Sequence, residues 1–529
     1  MKSAELLDAW ARRGDTSVAD RTAIATRTGE TWVDTTFAEL DRRATGIASA
    51  LAAAGVAAGD RVALLSEPGA GWAAAFLGIL RRGAVAVPLD TKLTADELGE
   101  LDRRSRLAAA IVSPSCTERW RGGTPVLDPS GPVPAGGSEG VEVSRPADDP
   151  AVLVWTSGST GQPKGVLLSY ANLAYVVAQA SVVQAAGADA RWLSVLPPNH
   201  LLELCCGLLP ALAAGSTTFV AHSIVPRELA SMMRESRVTQ MVVVPVVARM
   251  FKRHLELAAG RGGPVGAYLG TAVLVAGVVR SPRLRRLLFA PVHRRLGGRL
   301  RSMYCGGAPL DPEIVTFFDR LGIGLYQGYG LTEAAPTVSM NSPGHNRPGS
   351  VGRPLPGIEV RIGADGEILV RGPGVMLGYW DDEAATREAV DPEGWLHTGD
   401  LGRLDDDGYL FVTGRAKSLI VLDTGKKVQP EEVETALARG TLFSEVCVVG
   451  WRGAGVGRAG EQVCAVVVPA APMTDEAASE EVRRLTRGLA GYKRPTVVRL
   501  HQGELPKTAK RSLRRAEVVK LLDAQVARK

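Results

Sequence analysis

Apolar positions recur at helical spacing along 37–55, and the run stops at Gly55, a residue that readily takes the left-handed cap conformation. A short apolar strand follows at 60–65. Residues 71–82 return to the helical period and close at Gly83, and 84–90 form the next strand-like run. Strand and helix alternate, which predicts an α/β fold with a parallel sheet. Beyond a Pro-, Gly- and Asp-rich surface loop at 122–150, residues 151–155 read as a buried strand. Residues 193–200 read as a strand ending in a turn, and 201–215 as an almost uncharged helix containing Glu203. Residues 227–245 repeat helix then strand. A strand at 301–305 runs into a glycine turn, and 325–333 is a second such unit. From Gly349 the pattern becomes β-rich, with turn signals at 364–366 and 406–408. After Gly414 it changes again, to helices at 430–438 and 478–489 and short strands at 446–449 and 463–468. These patterns predict a large N-terminal part of several subdomains, 1–416, with parallel sheets and a β-rich portion. A small α+β domain follows at 417–529.

Size supports this division, because 529 residues are too many for one core. Aromatic residues make up 5% of the chain, so the core must be built mostly from Ala, Val and Leu. The net charge of +6 is modest and suits anionic small molecules. The same charge would suit nucleic acid, but no aromatic-plus-basic constellation for bases accompanies it, which argues against a nucleic-acid partner. The six cysteines form no Cys-x-x-Cys pair and have no histidine at zinc spacing. A reducing cytoplasm is the simplest reading of them. No signal-peptide core opens the chain, and no transmembrane helix is expected. Residues 280–301 hold eight arginines, with Leu284, Leu288, Val292 and Leu296 recurring every four positions. One helical face is therefore apolar and the other basic. The plain reading is a solvated face; the sharper one is a contact with membrane lipid, a carrier protein or the phosphates of CoA.

The chemistry concentrates in Trp155-Thr156-Ser157-Gly158-Ser159-Thr160-Gly161-Gln162-Pro163-Lys164-Gly165. Glycines let backbone N–H groups turn toward an anion, hydroxyls add donors, and a lysine adds a point charge. A polyphosphate is the natural ligand. It is not a Walker loop, since Lys164 follows Pro163 and no hydroxyl comes next.

Further motifs follow. In Tyr326-Gln327-Gly328-Tyr329-Gly330-Leu331-Thr332-Glu333 an aromatic can stack on adenine, a hydroxyl can bind a phosphate and a carboxylate can hold Mg2+. Gly306-Gly307-Ala308-Pro309 lets backbone approach a flat base. Thr398-Gly399-Asp400 offers a carboxylate for ribose hydroxyls, and Gly414-Arg415-Ala416-Lys417 closes the series. Over residues 20 to 515 the chain resembles the adenylate-forming superfamily of acyl-CoA synthetases, adenylation domains and luciferases. It is most similar to acyl-CoA synthetases of the fatty or long-chain type.

The resemblance implies an AMP-binding adenylation domain and a mobile C-terminal domain hinged at Lys417. It implies ATP, Mg2+ and CoA, or the phosphopantetheine of an acyl carrier protein, as cofactors and partners. Thr156 to Lys164 would hold the β- and γ-phosphates, with Thr156, Ser157, Gly158, Ser159, Thr160, Gly161 and Lys164 as the loop. Gly306, Gly307, Ala308 and Pro309 would flank adenine, and Tyr329 with Gly330 would stack on it. Thr332 would meet the α-phosphate, Glu333 would hold Mg2+, and Asp400 and Arg415 would clamp the ribose. His200 falls where the family puts an aromatic or histidine beside the substrate carboxylate. Amino-acid-activating members place an aspartate nearby. Here only Glu203 and a wall of Leu, Cys and Gly follow, which argues for an acid without an α-amine and with an apolar tail. For the catalytic lysine the family reads Pro-Lys-Thr, two residues, Gly-Lys. Leu505-Pro506-Lys507-Thr508-Ala509-Lys510-Arg511 lacks that glycine and is similar to the shortened form of long-chain synthetases. That match makes Lys510 the catalyst and Lys507 the reserve. Peripheral membrane contact and transfer to an amine remain open on this reading, as does a degenerate member that only binds nucleotide.

Overall fold

The computed structural model describes residues 16–129, 143–157, 163–260, 279, 281–453, 461–507 and 513–526. The backbone divides into two compact units, residues 1–359 with 370–396, and residues 360–369 with 397–529.

Two sheets organise the first unit. The seven-stranded sheet runs Gly378–Tyr379, Pro163–Ser169, Pro150–Ser157, Val85–Pro88, Arg61–Leu65, Leu107–Val112, Val126–Leu127. Its strands are parallel from Pro150–Ser157 onward, and the hairpin 150–169 with Gly378–Tyr379 forms an antiparallel margin. The nine-stranded sheet has a parallel centre reaching from Gly324–Tyr329 through Ser302–Cys305, Gln240–Val243, Arg191–Ser194 and Thr217–Val220 to Thr22–Thr28. Both margins are antiparallel. The hairpin Thr22–Thr36 was not legible in the hydrophobic pattern, because its second strand is largely exposed and polar.

Helix Phe37–Ala53 is started by Thr36, whose hydroxyl accepts from the Glu39 N–H, a standard N-cap. It crosses helix Ala70–Arg81 at Gly78, where a Cβ would lie 2.8 Å from the Ala44 carbonyl oxygen. That second helix is buried along almost its whole length, which is why it lacks a polar face.

Two expected helices are broken. The segment 201–215 becomes a helical turn, Leu201–Glu203, a π-helix, Leu204–Leu208, and a last helix, Leu209–Ala213. Pro210 has no N–H to return to the Cys206 carbonyl. That carbonyl instead accepts from Gln184 Nε2 at 2.6 Å. The arginine-rich segment likewise forms two pieces, Pro282–Leu288 and Ala290–Arg295, interrupted at buried Phe289 just before Pro291.

The second unit is α+β. A four-stranded sheet falls mainly within it and pairs Leu396–Leu404 antiparallel with Leu410–Arg415. The three-stranded sheet Phe443–Trp451, Gln462–Pro469, Val497–Leu500 carries helices Pro430–Leu437, Asp475–Leu485 and Arg515–Val526. Val448, Val463 and Val467 pack one face, and Cys447, Cys464 and Val466 the other. All six cysteines are buried with free thiols. No helix among the described residues is long and apolar enough to cross a membrane.

Candidate active site

In the first unit strands Pro150–Ser157 and Pro163–Ser169 pair antiparallel with Thr156 facing Lys164, and the Thr156 hydroxyl donates to the Lys164 carbonyl at 3.3 Å. Arg104 braces this pair, donating to the Pro163 carbonyl at 2.9 Å while its guanidinium lies 4.5 Å from the Trp155 ring centroid. Ser157 ends the described strand. Gly158, Ser159, Thr160 and Gly161 lie outside the described residues, as does Lys510. The Lys164 ammonium sits 4.6 Å from the centre of the Tyr379 ring.

Strand Gly324–Tyr329 delivers the second motif. The Tyr329 carbonyl accepts from the Val338 N–H, and the chain then doubles back so tightly that a Cβ at Gly330 would lie 1.7 Å from the Pro336 oxygen. Only glycine fits there. Thr332–Ala334 form a 3-10 turn that presents half-buried Glu333. Its backbone oxygen accepts from Met376 N–H, and its Oε1 accepts from the Tyr379 hydroxyl at 2.9 Å. Gly307, Ala308 and Pro309 are exposed, whereas Gly306 is buried against Leu202. Leu202 belongs to the turn that His200 begins, so that turn and the glycine loop abut.

Glu203 points the other way. It is 2% exposed, its Oε2 has no hydrogen-bond partner, and its Oε1 fills the space that Gly207 leaves. Burial pushes its carboxyl up to about 8, with the Ser194 hydroxyl pulling the other way.

In the second unit Asp400 is nearly buried, and its Oδ1 lies 3.2 Å from Arg415 Nε across the antiparallel pair. The Thr398 hydroxyl donates to the Ile368 carbonyl at 2.7 Å and accepts from the Asp400 N–H at 3.1 Å, so Thr398-Gly399-Asp400 is held as one bend. Lys417 lies in a 3-10 turn, Ala416–Ser418. Lys507 is ion-paired with Glu445, whose other oxygen accepts from the Leu505 N–H at 3.0 Å.

A family model described as AMP-binding enzyme matches residues 10–380, and one described as AMP-binding enzyme C-terminal domain matches residues 432–511. The chain belongs to the AMP-binding enzyme family. A feruloyl-CoA synthase from an Amycolatopsis species is 32% identical over 511 residues, which cover 94% of this chain and 95% of that protein. A long-chain-fatty-acid–CoA ligase of Mycobacterium bovis is 33% identical over 79% of this chain and 76% of its own length. Among solved structures, the O-succinylbenzoate coenzyme A synthetase of Bacillus subtilis in complex with ATP and magnesium ion matches with a TM-score of 0.77. Its identity is 25%, over 98% of this chain and 99% of that one.

Enzymes of the family use ATP and Mg2+. The residues present fit such an ion. Mg2+ takes one or two carboxylates together with substrate phosphates and retained waters. Glu333 offers one carboxylate, and no group of three His, Cys, Asp or Glu side chains among the described residues could hold a metal by itself. The arginine-rich segment is partly structural. Arg285 bonds Asp319, and Arg286 donates to the carbonyls of Leu300, Gly298 and Gly322. Tyr379, which touches both Lys164 and Glu333, is a residue that the sequence does not single out, because a lone Gly378-Tyr379 pair in a β-rich stretch carries no chemical signal of its own.

Proposed function

We propose that this member of the family activates a carboxylic acid that lacks an α-amine and carries an apolar body. The reaction class is that of an AMP-forming acid–thiol ligase. The substrate carboxylate attacks the α-phosphorus of ATP, the bond to the pyrophosphate oxygen breaks, and acyl-AMP forms. The CoA thiolate then attacks the acyl carbon, and AMP leaves.

The observation that carries the acid class is the placement of Glu203. It is the one charged residue type on the segment that follows His200, and it is buried with its neutral form favoured. A carboxyl in that state supplies no counter-charge for a substrate ammonium. Leu202, by contrast, lies against Gly306 and offers an apolar wall.

Little covalent work falls to the protein, so position and fixed charge should carry the rate. Thr156 and Lys164 stand at the mouth of the phosphate loop. Tyr329 and the exposed residues of Gly306–Pro309 receive adenine, and Thr332 meets the α-phosphate. Asp400 and Arg415 receive the ribose hydroxyls. When bound, Mg2+ neutralises charge across the polyphosphate, and Glu333 would hold it. His200 orients the acid, and Lys510 faces the charge growing on the α-phosphate. In this reading the C-terminal domain is 417–529, and rotation about Lys417 separates adenylation from thioester formation.

The deciding experiment is a panel of fatty, aryl and amino acids scored first for pyrophosphate release. It is scored next for thioester or amide with CoA, acyl carrier protein and amines. Fatty or aryl acids with CoA should turn over fastest. A free α-amino acid turning over faster than all of them would overturn the acid class. Binding of anionic vesicles, measured on the same preparation, tests peripheral membrane contact.

A further inference from the structure

We infer that Tyr379 is a positioning residue that holds the phosphate-loop lysine and the metal-binding carboxylate at once, Lys164 on its ring face and Glu333 on its hydroxyl. This inference rests on the reading above for the roles of those two residues.

Backbone contacts fix Tyr379 on several sides. Gly378–Tyr379 pairs antiparallel with Pro163–Ser169, placing Tyr379 opposite Val166. On either side, Leu377 N–H donates to the Leu167 carbonyl at 2.9 Å and Trp380 N–H to the Gly165 carbonyl at 2.7 Å. Tyr379 N–H itself donates to the Thr386 hydroxyl at 2.8 Å. Lys164 is two residues before Val166 on the neighbouring strand, a diagonal neighbour within reach of an aromatic ring. The register of this small margin therefore sets where the lysine rests.

The two ends of the side chain do different work. The electron-rich face attracts the ammonium, at 4.6 Å from its centroid. The hydroxyl donates a charge-assisted hydrogen bond to Glu333 Oε1 at 2.9 Å. Lys164 and Glu333 are not ion-paired with each other among the described residues. A direct pair would cancel a cation needed for phosphate against an anion needed for Mg2+. A tyrosine between them locates both and neutralises neither.

Phenylalanine and leucine separate the two functions. Y379F keeps the ring and removes the donor, whereas Y379L removes both. Calorimetric titration of ATP, without Mg2+ and across a Mg2+ series, gives a readout independent of turnover. Y379F should bind ATP without Mg2+ within twofold of wild type, yet need three- to tenfold more Mg2+ for half of the Mg2+-dependent gain in affinity. Y379L should show that shift together with a two- to fivefold loss of Mg2+-free ATP affinity, the worth of one cation–π contact. Thermal unfolding of both variants without ligand reports any general damage. A Y379F titration that superimposes on wild type across the Mg2+ series overturns the inference. So does an equal effect of both variants on Mg2+-free binding. Failure of wild type to release pyrophosphate with any acid would overturn the catalytic reading instead, and the titrations would still decide the role of Tyr379.

Discussion

Asp400 and Arg415 stand directly opposite each other on one antiparallel strand pair, with Oδ1 and Nε 3.2 Å apart. Asp400 is nearly buried while the Arg415 side chain is 68% exposed, so the carboxylate is the shielded member and the guanidinium the solvent-facing one. Asp400→Ala should weaken ATP binding about 10- to 100-fold, the worth of about 1.5–3 kcal/mol for hydrogen bonds to a charged group. Calorimetry with ATP checks it, and an unchanged affinity would remove the ribose-clamp assignment.

Lys507 and Lys510 should separate by half-reaction. Glu445 grips Lys507 and the Leu505 N–H together, which makes Lys507 part of the loop's anchorage. Lys510→Ala should slow adenylation by about 10²–10³, as for loss of one preorganised donor, and leave thioester formation from supplied acyl-AMP largely intact. Lys507→Ala should affect adenylation far less. Loss of adenylation in Lys507→Ala with Lys510→Ala active would transfer the catalytic role to Lys507.

Glu203 makes stability depend on pH. Its carboxyl rises from an ordinary 4.5 unfolded to about 8 folded. Below 4.5 both states are protonated and no ionisation penalty arises. Between these values the unfolded chain has lost a proton that the folded chain keeps, so stability falls as pH rises. Glu203→Gln cannot titrate and should flatten that decline. Denaturant unfolding at pH 5 and pH 8 should show the variant gaining on wild type at the higher pH. An equal difference at both would mean that Glu203 is ionised in the fold.

Two glycines should respond unequally to a methyl group. At Gly330 a Cβ meets the Pro336 carbonyl at 1.7 Å, and both sides of that clash are backbone. Gly330→Ala should cost on the order of 3 kcal/mol and lower nucleotide affinity. At Gly408 nothing lies within 4 Å, and only the positive φ of 78° resists a side chain. Gly408→Ala should cost about 1–2 kcal/mol and leave nucleotide affinity unchanged. Thermal unfolding with ATP titration distinguishes the two.

Much of this protein is local information. The stop at Gly55, the turns at Gly366 and Gly408 and the alternation of strand and helix depend on neighbours along the chain, where backbone preference is decided. The Thr156–Lys164 and Tyr329–Glu333 motifs are legible for the same reason, since each is contiguous in the chain. Apolar periodicity alone predicts unbroken helices at 201–215 and 280–301, and the structure shows where the missing N–H groups of Pro210 and Pro291 accompany the breaks. What tertiary structure decided are the partnerships between distant residues. Tyr379 reaches Glu333 across 46 positions, and Lys507 reaches Glu445 across 62. Glu203 is buried in the space that Gly207 leaves, and that burial favours its neutral form. Such contacts depend on strand register and on which side chain fills which gap, and both are set when separate segments pack.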